Sequence, residues 1–176
     1  MQFITFKLKT PNLTVCPILE NKSIMNLIDL LRNVEMFEGL SSKQLKKLSC
    51  IFKENVLQAG EVVFLQGNKS ENLFLVKSGF IEVIIDSQDT NINRVIRILG
   101  HGQSVGEMSW VDRGVRSATV RAVTKDTILA VASFDALDEI CRKNPKIGYR
   151  LFRNIASDLS FRFRQDVGTN SKRQVY

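Results

Sequence analysis

Two short segments of this sequence, Gly106–Glu107 and Arg116–Thr119, carry side chains that could bind an anion. An arginine presents a planar fork of donors that matches a phosphate or a carboxylate. Gly106 allows close approach to the backbone, and residues 107–111 could form one helical turn whose N–H groups face an anion. Glu107 is an acceptor that could hold a pair of hydroxyl groups. A glutamate and an arginine nine residues apart are as often a salt bridge, so these residues alone leave both interpretations open.

Few residues of this chain are suited to catalysis. Cys16, Cys50 and Cys141 are scattered and form no CxxC pair, which argues against a disulfide framework and a metal site. His101, the only histidine, lies in a glycine-rich stretch, which predicts a turn residue facing water. A catalytic zinc typically needs three protein ligands. We therefore expect no enzyme, no cofactor and no metal, and the single histidine argues against the alternative of a cupin-like enzyme.

The net charge of +7 is concentrated near the C-terminus. Residues 1–141 carry 16 basic and 16 acidic side chains, whereas residues 142–176 carry nine basic and two acidic ones. This asymmetry predicts either a solvated helix face with a basic tail or a surface for an acidic partner, nucleic acid or anionic lipid. No apolar run approaches the ~20 residues of a membrane span. With no signal-peptide pattern, we expect a cytoplasmic address.

The elements that must position these groups follow the order helices, strands, helices. Apolar residues at helical spacing predict a first helix capped by Ser23 and a second capped by Ser41 or Ser42. Seven short β-rich runs separated by turn residues then predict an all-β sandwich or barrel. The runs are residues 56–57, 61–66, 72–77, 80–86, 94–99, 118–123 and 127–132, with a turn at 89–93.

Two helices are predicted after the last strand. Ser133 can cap a helix over Phe134–Arg142, and Asn144-Pro145 is a helix start. The last helix should run to about Gln165, with Gly168 just past its end. Its apolar side chains recur at i+4 spacing as Ile147, Leu151, Ile155, Leu159 and Phe163. This stripe predicts one face that docks on the barrel.

The stretch from Gly100 to Val120 resembles the phosphate-binding cassette of the cyclic-nucleotide-binding domain family. The family pattern is Phe-Gly-Glu-(Leu/Met)-(Ala/Ser)-Leu, a short gap, then Pro-Arg-(Ala/Ser)-Ala-Thr-Val, and the chain matches it at 106–109 and 116–120. The spacing is similar to that of protein-kinase regulatory subunits. Residues 67–83 resemble the family's barrel hairpin, and the likeness covers about 34–165. The departures are Val105 for Phe, Trp110 for Leu and Val115 for Pro, of which only the last is expected to loosen the site.

The resemblance implies a mainly β fold with flanking helices. The core would be a jelly-roll-like β-barrel, or double-stranded β-helix, with N-terminal helices and a C-terminal lid helix. The implied organisation is an N-terminal extension at 1–22, the cyclic-nucleotide-binding domain at 23–165 and a basic tail at 166–176. The implied ligand site comprises Gly106, Glu107, Met108, Ser109, Arg116, Ser117 and Ala118.

The roles that the resemblance implies are specific. Glu107 would bind the ribose 2′-hydroxyl and Arg116 the cyclic phosphate, aided by N–H groups of Gly106, Ser117 and Ala118. In the family, a hydroxyl residue after the arginine sometimes accompanies cGMP binding, but serine also occurs there in cAMP binders, so cAMP is slightly favoured over cGMP. The expected function is a sensor of a 3′,5′-cyclic mononucleotide that signals by moving its C-terminal helix.

The output of such a sensor has two candidates. The basic C-terminal region predicts a protein partner, without sequence-specific nucleic-acid binding. The alternative is the sensor part of a catabolite-activator-type transcription regulator that lacks its DNA-binding domain here. Only 11 residues follow Gln165, which is too few for a helix-turn-helix module.

Overall fold

A computed structural model describes residues 21–86 and 93–173, so residues 1–20 and most of the predicted turn at 89–93 lie outside the description. Its elements are α1 Asn21–Arg32, a 3₁₀ turn Glu35–Phe37, α2 Ser42–Ser49, β1 Lys53–Leu57, β2 Val62–Phe64, β3 Asn72–Ser78, β4 Ile81–Asp86, β5 Asn93–Leu99, β6 Ser104–Val105, α3 Glu107–Asp112, β7 Thr119–Ala122, β8 Thr127–Ser133, α4 Phe134–Lys143 and α5 Pro145–Arg173. All seven predicted strands are present, and β6 was not predicted.

The strands form two antiparallel sheets of four strands each. Their orders are β1-β8-β3-β6 and β2-β7-β4-β5. Side chains from both sheets share one apolar core, in which Val120 and Ala122 of one sheet join Leu129 and Val131 of the other. The prediction of a mainly β, jelly-roll-like domain with flanking helices is confirmed, although strand pairing among the described residues gives two separate sheets and not one continuous barrel.

Strand β3, one of the two inner strands of its sheet, is buried on both faces. Phe74 and Val76 lie in the core between the sheets, whereas Leu73 and Leu75 lie in a second core beneath the helices. Successive side chains of a strand point to opposite faces, so a strand covered on both sides needs a continuous apolar run. This burial holds β3 in place, and the first residue of β3 borders the candidate site.

Of the three predicted serine caps, two are present in the structure. Ser41 accepts from the backbone of Gln44, whose side chain accepts from the Ser41 backbone in return, so α2 begins with a capping box. Ser133 accepts from the backbone N–H of Ala136 at the start of α4. The third prediction was wrong, because Ser23 lies within α1 and not before it.

Helix α5 differs from its prediction in two respects. Ile147, Leu151 and Ile155 are buried, but Phe163 is 69% exposed. Each four-residue step overshoots a turn of 3.6 residues by about 40°, so four steps carry Phe163 about 160° around the helix from Ile147. The helix also continues to Arg173 instead of ending near Gln165. A single glycine such as Gly168 costs a helix only about 1 kcal/mol, which does not stop it.

The N-terminal half of α5 is fixed to the 3₁₀ turn. The Asn154 amide nitrogen donates to the carbonyl oxygens of Met36 at 3.1 Å and Glu38 at 3.0 Å. On the side facing α3, the Phe152 ring stacks on Trp110 with centroids 4.9 Å apart. These contacts place α5 next to the cassette.

The basic side chains of residues 142–176 all belong to α4 or α5. Arg142 and Lys143 pair with Glu139 on α4. Arg153 and Arg164 are exposed on α5. No helix within the described ranges has the length and apolar character to cross a membrane.

Candidate functional site

Helix α3 begins at a glycine that the geometry requires. Gly106 precedes the helix with φ of +96°, in the left-handed region that favours glycine. A Cβ added there would collide with Nη1 of Arg116 and lie 3.1 Å from the carbonyl oxygen of Asn72. The absence of a side chain at this position therefore lets the Arg116 guanidinium lie against the start of α3.

Arg116 is held through its backbone and its side chain. Its N–H donates to the carbonyl of Asn68 at 2.9 Å, and its carbonyl accepts from the N–H of Gly67 at 2.8 Å. Its side chain is buried, and Nη2 donates to the carbonyl oxygen of Asn72 at 2.6 Å. Nε and Nη1, also buried, have no hydrogen-bond partner among the described residues. The guanidinium is thus anchored at one corner and has two donors that no group of the described residues satisfies.

The walls around the guanidinium are aromatic. Its central carbon lies 4.0 Å from the ring centroid of Phe64, 5.5 Å from that of Phe74 and 5.9 Å from that of Phe134. Cation–π contact stabilises the charge there. Burial lowers the pKa of Arg116 to about 10, and the Glu107 carboxylate acts in the opposite direction. Arg116 therefore remains charged at neutral pH, and a buried charge with unsatisfied donors favours an anion.

Glu107 supplies the acceptor of the site. Its side chain is buried, and Oε1 accepts from Nη1 of Arg162 on α5 at 3.2 Å. Oε2 is also buried but has no hydrogen-bond partner in the described part of the chain. The nearby Arg116 interacts with Glu107 electrostatically. Oε1 thus accepts a hydrogen bond from α5, and Oε2 remains available as an acceptor for a ligand.

A comparison with protein families decides what kind of domain holds this arrangement. Residues 54–144 match the cyclic nucleotide-binding domain family. The chain belongs to this family. The match includes the strands that position the site, the whole cassette and α4.

Relatives with both kinds of nucleotide in their names resemble this cyclic-nucleotide-binding domain. It is 30% identical over 100 residues to a cGMP-dependent protein kinase of Drosophila melanogaster (isozyme 2, forms cD5/T2), covering 57% of this chain and 11% of the kinase. It is 30% identical over 133 residues to the cyclic AMP receptor protein of Thermus thermophilus, covering 74% and 57%. Among solved structures, a cyclic nucleotide-binding domain from Methylobacillus flagellatus superposes with a TM-score of 0.71 at 26% identity, covering 82% and 80%. The chain thus spans about a tenth of the length of the kinase and a little over half of the length of the cyclic AMP receptor protein.

Within the cyclic-nucleotide-binding domain, α3 is tied to α4. The Trp110 indole N–H donates to Oδ1 of Asp138 at 2.9 Å, and Arg113 forms an ion pair with the other oxygen of Asp138. Trp110 is almost fully buried, so this departure from the family's Leu adds an apolar ring and a hydrogen bond. Val115, the departure before Arg116, is exposed.

The structure brings three of the seven predicted site residues together and places the other four in different environments. Gly106, Glu107 and Arg116 are brought together, as described above. Ser109 is buried, and its hydroxyl donates to the carbonyl of Val115 at 3.3 Å, which braces the loop before Arg116. Ala118 is buried directly before β7, whereas Ser117 and Met108 are exposed. Their contact with a ligand stays a prediction.

Sequence patterns did not reveal four residues that surround the charged pair. Phe64, Phe74 and Asn72 contact Arg116 from other strands, and Arg162 contacts Glu107 from α5. Asn72 and Phe74 lie in the hairpin that resembles the barrel hairpin of the family. No residue spacing within that hairpin indicates that they contact Arg116. Arg162 is one of nine basic residues in 142–176, and nothing in the local sequence connects it with Glu107.

Proposed function

We propose that this domain is a sensor that binds a 3′,5′-cyclic mononucleotide at Glu107 and Arg116. The observation that carries this function is the buried Arg116 guanidinium, whose Nε and Nη1 lack partners among the described residues while it lies against Gly106. The cyclic phosphate accepts from Arg116, and the ribose 2′-hydroxyl donates to Glu107. Backbone N–H groups of Gly106, Ser117 and Ala118 add donors to the phosphate.

Calorimetric titration with cAMP, cGMP and cyclic dinucleotides tests this proposal. We expect a cyclic mononucleotide to bind and cyclic dinucleotides and 5′-AMP to bind far more weakly. Ligand at about 100 times its Kd should add about 2.7 kcal/mol to the free energy of unfolding, measured by thermal melting. If millimolar cAMP and cGMP produce neither heat of binding nor a thermal shift, the proposed function is wrong.

The preference between the two purines is a finer part of the proposal. The relatives include a cGMP-dependent kinase and a cyclic AMP receptor protein at equal identity, so the names do not separate the two ligands. Ser117, the residue after Arg116, is exposed and has the hydroxyl that sometimes accompanies cGMP binding in the family, but serine also occurs there in cAMP binders. We propose a slight preference for cAMP, and the ratio of the two dissociation constants measures it.

We also propose that α5 carries the signal. It contacts α3 through Phe152 on Trp110 and through Arg162 on Glu107, so a ligand that changes α3 changes the support of α5. A ligand shifts a helix only by its differential affinity for two poses. If the closed pose buries one more apolar side chain, about 1.5–3 kcal/mol is available.

Hydrogen exchange tests the movement of α5. The first half of the helix is held by Asn154, so we expect the largest change in amide protection after Ile155 when cyclic nucleotide is added. Amides of Gly100–Val120 should gain protection as the ligand binds, which serves as the internal control. If protection changes only within Gly100–Val120, α5 is a scaffold and the domain binds without signalling through it.

We propose that the sensor acts in the cytoplasm on a protein partner through the basic surface of α4 and α5, without catalysis of its own. The charge distribution supports this, because the whole net excess lies in residues 142–176. The alternative, the sensor part of a catabolite-activator-type regulator, is favoured by the likeness to the cyclic AMP receptor protein. A purely electrostatic association with DNA weakens steeply with salt. Sequence-selective DNA binding by this chain alone would contradict the first proposal.

A further inference from the structure

We infer that Arg162 of α5 is a positioning residue for the ribose, because it holds Glu107 away from Arg116 and keeps Oε2 available for the 2′-hydroxyl. This inference rests on the proposed function. The Glu107 carboxylate interacts with two arginines: Arg162 donates a hydrogen bond to Oε1 at 3.2 Å, whereas Arg116 interacts with the carboxylate electrostatically. Arg162 lies 55 residues from Glu107 in the sequence, so their contact depends on how α5 packs against α3.

Arg162 is itself oriented by a second carboxylate. Its Nε donates to Oδ1 of Asp158, one helical turn earlier, at 3.0 Å, and its Nη2 pairs with the other oxygen of Asp158. The planar guanidinium is therefore held along one edge, and the remaining Nη1 points at Glu107. Arg162 is partly buried, with 30% of its side chain exposed, whereas the Glu107 side chain is 8% exposed. A fixed donor thus meets a carboxylate that has little access to water.

Without Arg162, the nearest cation for Glu107 is Arg116. Arg116 has two buried donors that find no partner within 21–86 and 93–173, and its electrostatic interaction with Glu107 already favours its charged form. A buried carboxylate that loses its partner is costly, so Glu107 is expected to turn toward those donors. This rotation of the Glu107 side chain would occupy the acceptor that the ribose needs. It would also occupy Arg116 donors that the phosphate needs. Arg162 prevents this by competing for the same carboxylate.

The test is a thermodynamic cycle that combines a substitution of Arg162 in the protein with removal of the ribose 2′-hydroxyl from the ligand. The dissociation constants of cAMP and 2′-deoxy-cAMP are measured by calorimetry for the wild type and for Arg162→Met, which removes the charge but retains the length of the side chain. We expect the wild type to prefer cAMP by about 10- to 100-fold, because a hydrogen bond to a charged group is strong. Arg162→Met should reduce this preference to within about threefold.

Three further variants separate a positioning role of Arg162 from general support of the helix. Arg164→Met makes the same charge change at an exposed position of the same helix and should keep the wild-type preference. In a Glu107→Gln background, adding Arg162→Met should have little further effect on cAMP affinity, because the group on which Arg162 acts is already altered. Far-UV circular dichroism confirms that each variant is folded. Arg162→Lys keeps the charge without the fork and should recover only part of the preference.

The outcomes distinguish this inference from the proposed function. If the wild type binds cAMP and Arg162→Met weakens cAMP and 2′-deoxy-cAMP by the same factor, Arg162 merely supports the helix and the inference is wrong, while the proposed function stands. The same holds if Arg162→Met binds both nucleotides like the wild type. If the wild type binds neither nucleotide, the proposed function fails and the inference fails with it.

Discussion

Arg116→Ala is expected to weaken cyclic-nucleotide binding by roughly 30- to 5,000-fold, because removing one side of a buried charge pair costs about 2–5 kcal/mol. Arg116→Lys should also bind much more weakly, although it keeps the charge. The lysine ammonium lacks the planar fork that donates to Asn72 with one nitrogen and offers Nε and Nη1 to a phosphate. Calorimetric titration with cAMP or cGMP, whichever binds the wild type more tightly, measures both losses.

The fold should tolerate the loss of Arg116. The substitution removes the contacts with Phe64 and Asn72, but it also removes a buried charge whose pKa is lowered by that burial. We therefore expect the ligand-free melting temperature to stay close to that of the wild type. Arg121→Lys is the matched control, since Arg121 lies on the following strand and pairs with Glu82 at the surface. If Arg116→Lys binds the nucleotide like the wild type, the bidentate role of the guanidinium is wrong.

Gly106→Ala is expected to reduce affinity by at least about tenfold and to lower the free energy of unfolding by about 1–3 kcal/mol. The stability loss arises because an L-residue rarely adopts the φ of +96° found at Gly106. The loss of affinity has a different cause, since the new Cβ meets Arg116 Nη1 and the Asn72 carbonyl. Moving the guanidinium away from α3 separates the two halves of the ligand site.

Gly60→Ala is the control that separates strain from collision. Gly60 also has a positive φ, of +83°, but a Cβ added there meets nothing within 4 Å. Its alanine variant should lose stability in thermal melting while keeping wild-type affinity in calorimetry. Equal affinity of Gly106→Ala and the wild type would show that the start of α3 does not form part of the ligand site.

The sequence by itself predicted most of the elements and the central residues of the candidate site. Helical spacing and serine caps located α2 and α4, since caps and amphipathic faces depend on neighbours within a few residues. Turn residues separated seven of the strands for the same reason. The pair Gly106–Glu107 and Arg116 was evident because its positions belong to one continuous cassette. The two-residue β6 was missed, since it exists only through pairing with β3.

Only the tertiary structure decided what surrounds that pair. Asn72 reaches Arg116 across 44 residues and Arg162 reaches Glu107 across 55, and no local periodicity encodes such contacts. The regular spacing of apolar residues in α5 also misplaced Phe163, because a strict four-residue step drifts around a helix of 3.6 residues per turn. Which donors of Arg116 remain unpaired, and which oxygen of Glu107 does, depends on packing between β3, α3 and α5, since hydrogen bonds in the interior require partners at defined distances and angles.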